Sequence, residues 1–362
     1  MKVLVAVVDY PKPDGSIALM YVHVRNKYYV QNGIHVTVLN FSSHSDYEFD
    51  GISVISLAHY KQIPEKYDAL ICHASNIRNH YRFLNKFNRC FSHIFFFFHG
   101  HEILKIHEVY PAPYPYVGKQ SALRIFLQNR YDSFKLYLWR KLFIKYKDKC
   151  NFVFVSNWLY QRFLEYTKIS AAAFAGRMYI IHNSVGSIFE ENRYCSKCEK
   201  KYDFIIIRSN LDESTYCIDF VNALACRNPD YQFLVVGKGA YFLKNQKALN
   251  IEWINRSLLH REMLDFLDLS RCGLMLTRHD TQGVMACEMA TYGLPLITSD
   301  IAICHEIFNE FPNVAFIRND IPIDLTDILN QLTAGVPYPP NDKYCYQNTV
   351  KKEIDLLKGL LE

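Results

Sequence analysis

At 362 residues, half of them apolar, 15% aromatic and 21% charged, the chain is long enough for two domains and too apolar for a disordered protein. Fourteen glycines and 13 prolines are too few for a fibrous repeat, and the longest apolar run near the middle, residues 94–98, is far below the roughly 20 residues that cross a bilayer. The formal net charge is +5, and Lys2 precedes only a short apolar run with no small-residue cleavage site, so a cytoplasmic protein, soluble or peripheral on the inner face of the membrane, is expected.

Residues 3–8 read as a buried strand, ended by Pro11, Pro13 and Gly15 and followed by a helical stretch over 16–31. Further strands are expected at 35–39, 53–57, 69–73, 93–98, 151–155 and 178–182, with helical stretches such as 76–87 between them. Residues 184–202 read as a linker. A second alternation follows, with strands at 204–208, 232–236, 250–254, 273–277, 295–298 and 314–317 and helices near 217–225, 260–267, 284–292 and 303–308. A last amphipathic stretch covers 348–361. Alternating strands and helices imply parallel pairing, because parallel strands need long crossovers. The expected fold class is therefore α/β: two doubly wound, Rossmann-like domains over 1–183 and 203–345, facing across a cleft, and a C-terminal segment, 346–362, that returns to the first domain.

Two local features stand apart. Between residues 119 and 150 nine Lys or Arg residues face only Asp132 and Asp148, so the remainder of the chain is net negative. Phe126, Tyr131, Phe134, Tyr137, Trp139, Phe143 and Tyr146 interleave with those charges. The pattern fits a surface helix with a solvated face, or one that meets an anionic membrane surface. Nucleic acid would accept the same charge, but no binding motif accompanies it and no nucleic-acid partner is expected. The 11 cysteines include one close pair, Cys195-Ser-Lys-Cys198. No second pair completes a four-ligand zinc site, and reduced thiols are the expectation.

The chemical signal concentrates in RHDTQGVMACEMATYGLPLITSD, residues 278–300. Asp280 precedes a helix, Gly283 opens it and Glu288 lies within it, so both acids can point into one cleft. A helix start approached through glycine offers N–H groups to a phosphate, and carboxylates accept hydrogen bonds from sugar and ribose hydroxyls. The pattern describes a pocket for a nucleotide diphosphate sugar. A plainer alternative makes Asp280 a helix cap and Glu288 a solvated acid.

On these residues the chain resembles the retaining glycosyltransferases of the GT-B fold, family 4, of the bacterial surface-polysaccharide type. That family carries two acids separated by seven residues, a Gly three after the first, a small residue two after the second, then Gly-x-Pro. Asp280, Gly283, Glu288, Ala290, Gly293 and Pro295 match, with Asp in place of the first Glu. The resemblance implies that Asp280 and the Gly283 backbone hold the donor sugar, that Val284 and Met285 lie beside the diphosphate, and that Glu288 grips the ribose. It further assigns Arg208 to the diphosphate, backbone near Ile254 and Asn255 to the base, and His99 to the reacting sugar. The usual second cation, a lysine shortly after Arg208, is missing, and Lys238 is a candidate substitute.

The first domain should then bind the acceptor, a saccharide or polyprenyl-linked saccharide. Gly15 and Ser16 follow the first strand, where a small residue admits a ligand to the backbone. His101 and Glu102 emerge with His99 after the strand at 93–98. No two aspartates stand two positions apart, so the metal-chelating triplet of the other main transferase architecture is missing; neither metal nor cofactor is expected beyond the nucleotide-sugar co-substrate. Transfer with retention of anomeric configuration is the implied reaction. The rivals are a nucleotide-sugar 2-epimerase of the same fold and a non-catalytic protein that binds a saccharide or a membrane surface.

Overall fold

Apolar runs with almost no polar alternation, such as FSHIFFFF, are what a parallel strand buried on both faces requires. The computed structural model describes residues 1–15, 18–118 and 120–361. It separates into a first unit of residues 1–106, 127–183 and 347–362 and a second of residues 107–126 and 184–346. The stretch 107–126, expected within the first domain, thus belongs with the second. The expected linker, 184–202, is likewise part of that unit and contains a short helix, Ser187–Glu191.

The first unit contains β1 (Lys2–Val7), β2 (His35–Asn40), β3 (Tyr47–Phe49), β4 (Ile52–Ser56), β5 (Tyr67–His73), β6 (Phe91–Phe98), β7 (Cys150–Phe154) and β8 (Met178–Ile180). They lie in the order β3-β4-β2-β1-β5-β6-β7-β8, parallel except for the β3–β4 pair. The strand order reverses between β1 and β5, where Val5 registers with Ile71. Phe96, Phe98 and Phe152 project onto one helical layer, and Phe143, from the helix Ala122–Lys145, packs edge-on against Phe96 and Phe152 at 4.9 Å. The C-terminal helix, Val350–Leu361, also belongs to this unit and sends Glu353 to the buried Arg25.

In the second unit are β9 (Tyr202–Asn210), β10 (Phe233–Lys238), β11 (Ile251–Ile254), β12 (Ser270–Met275), β13 (Leu296–Ser299) and β14 (Val314–Ile317). Their order, β11-β10-β9-β12-β13-β14, is fully parallel and reverses between β9 and β12. Phe204, Ile206, Val235, Leu274 and Ile297 form part of its core. Both sheets therefore have a topological switch point, the place where open α/β sheets leave a crevice at the carboxyl ends of their strands.

Most expected strands occur within two residues of their expected limits. The first helix begins at Met20 rather than at Ser16, which lies outside the described residues, and the stretch 76–87 is a wide turn, Ile77–Tyr81, followed by a helix, Arg82–Phe87. Cys195 and Cys198 are joined in a disulfide, which corrects the expectation of reduced thiols there. Their Cα atoms lie 5.6 Å apart, a separation that a two-residue spacer in a turn readily supplies.

Candidate functional site

At the switch point of the second unit, Arg208 ends the buried part of β9 and faces the loop that follows β12. Its Nη2 donates to the Leu276 carbonyl at 2.6 Å and its guanidinium lies 4.6 Å from the Tyr216 ring centroid. Nε is buried without a hydrogen-bond partner. A Cβ on Gly237 would fall 2.2 Å from the Arg208 carbonyl oxygen, so only glycine lets the end of β10 close on the backbone that carries this arginine. Thr277 pins the opposite loop, donating its hydroxyl to the His279 carbonyl at 2.6 Å.

Asp280 and Gly283 share a small pocket with Arg208, Gln282 and Ala286. Its volume is about 10 Å³, room for one water. The Asp280 Oδ1 accepts from the N–H groups of Thr281 and Gln282, so this acid does cap the turn before the helix. Gly283 follows in the left-handed region at φ 70°, and the helix Val284–Tyr292 starts there without a side-chain cap. Val284 and Met285, both half-buried, are its first residues. The arrangement brings together a guanidinium, a carboxylate and a helix start, the groups that together meet the charge and hydroxyls of a phosphorylated sugar.

Glu288 does not join them. Helical spacing carries it into a stretch, Ala286–Tyr292, in which every residue is buried, and its carboxylate accepts the N–H of Gly186. Burial pushes its carboxyl up to about 7, with the Gly186 bond opposing that shift. It is neither a solvated acid nor a wall of the Asp280 pocket. Ile254 ends β11, the edge strand, and Asn255 follows it; Ile254 is half-buried and Asn255 exposed. Lys238 is exposed at the end of β10, where it registers with Asn210 of β9 and its carbonyl accepts the Leu211 N–H at 2.7 Å.

A larger cavity, about 380 Å³, lies at the switch point of the first unit. Leu19 and Tyr21 reach it from after β1, Ala74–Asn76 from after β5, and His99, His101 and Glu102 from after β6. The Nε2 of His99 pairs with Nδ1 of His73 at 3.1 Å, and Tyr21 meets the His99 ring edge-on at 4.7 Å. Burial and the nearby Arg25 guanidinium hold the His99 imidazole well below its ordinary range; burial does the same to His73. Both rings are therefore neutral at pH 7, and His99 offers a hydrogen bond rather than a charge. Glu102 turns back on its own loop. Its carboxylate accepts from the N–H groups of His99 and Gly100, which makes it a positioning residue for His99.

Gly15 closes a turn through its N–H to the Lys12 carbonyl at 3.1 Å, is exposed at φ 93°, and is not part of the cavity wall. Ser16 lies outside the described residues. Sequence reasoning missed the helix contribution to this cavity. Lys135, buried, donates to the His101 and Leu104 carbonyls at 3.0 and 2.9 Å and pairs with the buried Asp132 at 3.1 Å, which in turn accepts the Ile106 N–H. The sole acid in a 24-residue helix, three positions before a lysine, was the available signal. Also missed was the attachment of 107–126: the Tyr114 hydroxyl donates to Asp219 at 2.9 Å and that of Tyr116 to Asp212 at 2.7 Å, while Arg278 forks onto Asp219.

No protein-family model matches the chain, and no curated protein sequence does. Solved structures do. A glycosyltransferase from Rickettsia africae superposes with a TM-score of 0.66 at 14% identity, covering 100% of this chain and 98% of that one. WaaG, a glycosyltransferase involved in lipopolysaccharide biosynthesis, gives 0.65 at 13%, covering 99% and 100%. A trehalose-6-phosphate synthase studied for glycosyl transfer with retention gives 0.64 at 12%, covering 100% and 99%. The fold is GT-B. At such low identity the likeness concerns the fold of both units and leaves the reaction to be argued from the residues.

Proposed function

We propose that the protein is a retaining glycosyltransferase that moves a sugar from a UDP- or GDP-type donor to a saccharide or lipid-linked saccharide acceptor, in the assembly of a bacterial surface polysaccharide such as O-antigen or capsule. The observation that carries this reading is the second unit's switch point, where Arg208, with a buried unpartnered Nε, faces Asp280 and the helix start at Gly283. A pyrophosphate needs cationic and N–H donors, and these are present on one crevice of a GT-B fold. In the reaction the bond from the anomeric carbon to the donor's phosphate oxygen breaks. A bond to the acceptor oxygen forms on the same face, and the acceptor's proton passes to the departing diphosphate. Arg208 and the helix start would stabilise the charge gathering on that diphosphate, and Asp280 and neutral His99 would hold sugar hydroxyls. Neither a metal nor a cofactor has a part in this scheme.

Titration calorimetry with UDP, GDP and ADP, followed by a mass-spectrometric screen of nucleotide sugars with and without saccharide acceptors, tests the reading. One nucleotide should bind, and its sugar should appear on an acceptor. Arg208→Ala should weaken donor binding by about tenfold or more, the loss of one charge-assisted hydrogen bond, while Asp280→Ala should lower turnover. Turnover of the donor with no acceptor present and an altered sugar in the product would identify a 2-epimerase instead. Failure of all three nucleotides to bind would leave a scaffold without this activity.

A further inference from the structure

Residues 110–116, Tyr-Pro-Ala-Pro-Tyr-Pro-Tyr, form a strap on the second unit. Prolines at every second position fix the backbone and withhold three N–H groups, so the strap enters neither helix nor sheet. The residues between them make its contacts. The Tyr110 ring meets His279 edge-on at 4.7 Å, and the Ala112 carbonyl accepts the Ser214 hydroxyl at 2.7 Å. The hydroxyls of Tyr114 and Tyr116 donate to Asp219 and Asp212, and that of Tyr114 also accepts the Asp219 N–H at 3.3 Å.

These contacts fall on the loops that carry the candidate donor groups. Residues 209–217 follow Arg208 and lay Tyr216 on its guanidinium, while residues 276–283 carry Asp280. Arg278 ties the two together. Its N–H donates to the Thr215 carbonyl at 2.8 Å, its Nη1 reaches the Ser214 carbonyl, and Nη1 and Nη2 fork onto Asp219 at 3.0 and 2.7 Å. Asp219 is thus held by Arg278 from one side and by Tyr114 from the other. Between these anchors Cys217 stands at φ 55°, a left-handed conformation that a side chain disfavours and that persists where the surroundings impose it. A strap that only covered apolar surface would leave its hydroxyls to water; both reach carboxylates instead. Building on the transferase reading, we propose that Tyr114 is a positioning residue for the donor: through Asp219 and Arg278 it fixes the loop that presents Asp280. The donor then meets a preformed crevice, and less ordering is needed on binding.

Tyr114→Phe keeps the ring and removes the hydroxyl. Amide hydrogen exchange of the full chain without nucleotide should speed up by about tenfold in 277–283, as befits the loss of one hydrogen bond to a charged group, and stay unchanged in 99–106. The dissociation constant of the nucleotide that the parent binds should rise about three- to tenfold, and in transfer the donor KM should rise with the acceptor KM unmoved. Tyr116→Phe loses a similar bond, to Asp212 rather than Asp219, and should change the donor KM by less than about twofold. A strap with a structural role alone would lower the folded fraction, and so kcat, in both variants alike and leave KM where it was. Arg278→Gln cuts the same link one step on, so adding Tyr114→Phe to it should raise the donor KM by less than about a further twofold. Unchanged exchange in 277–283, equal donor effects of the two tyrosine variants, or fully multiplying effects of Tyr114→Phe and Arg278→Gln would overturn the proposal. A parent that binds no nucleotide would refute the transferase reading, whereas unchanged exchange in 277–283 would refute the positioning alone, so the two failures are told apart.

Discussion

Glu288 shows how much a single side chain's surroundings change its chemistry. In water its carboxyl would ionise near 4.5; under Gly186 it does so near 7, because burial penalises the anion. A raised carboxyl binds a proton in the folded state that the unfolded chain has already lost. Its contribution to stability is therefore greatest below pH 4.5 and falls as the pH rises toward and through 7. A shift of this size corresponds to about 3 kcal/mol between pH 4.5 and pH 8. Urea unfolding of the parent should show that loss, and Glu288→Gln should flatten the profile and be the more stable protein at pH 8. Identical pH profiles for the two would mean that Glu288 is solvated. The spacing of Asp280 and Glu288 was legible in the sequence, but their separation was not, since it depends on Gly186, about a hundred residues away. Much the same holds for His99: its place after β6 was readable, while its neutral state comes from burial and, less, from Arg25.

Among the elements, the C-terminal helix is held by one buried cluster. Arg25 Nε donates to Glu353 at 3.1 Å, Arg25 Nη2 to Asn183 at 2.8 Å, and the Tyr29 hydroxyl to Glu353 at 2.8 Å. Removing the carboxylate leaves a buried guanidinium with its principal partner gone. Glu353→Ala should cost about 3–5 kcal/mol in urea unfolding, whereas Arg25→Met combined with Glu353→Leu should recover most of that loss. A loss below about 1 kcal/mol for the single change would show that the cluster is hydrated. The strands were readable because doubly buried parallel strands are written as continuous apolar runs, of which β6 is the clearest. β3, three residues of Tyr-Glu-Phe at a sheet edge, has no such run and was missed. For the helix Ala122–Lys145, aromatic residues on both sides leave the period unable to say which side faces inward. Packing decided it, taking Trp139 and Phe143 and leaving Phe134 and Tyr137 outside.

Taken as a molecule, the chain has two sheets, each with its own switch point, and under the proposed function the donor binds at the second. A nucleotide at about a hundred times its dissociation constant stabilises the state it binds by about 2.7 kcal/mol. Hydrogen exchange should therefore slow at the end of β9, in the loop 277–283 and in the helix Val284–Tyr292, and stay unchanged in the loop 99–106. Protection confined to 99–106 would put the nucleotide in the wrong unit here. Two alternating series of strands and helices, and an acidic pair around a helix start, were determined by the sequence alone, because hydrophobic period and turn residues act over a few positions. Only the tertiary structure could decide that 107–126 joins the second unit, that Cys195 and Cys198 pair, that Glu102 serves its own loop and that Glu288 is buried. The attachment of 107–126 and the burial of Glu288 depend on which distant groups the packed layers bring within hydrogen-bond distance, while the disulfide and the Glu102 contacts depend on how the local turns fold, which residue types leave open.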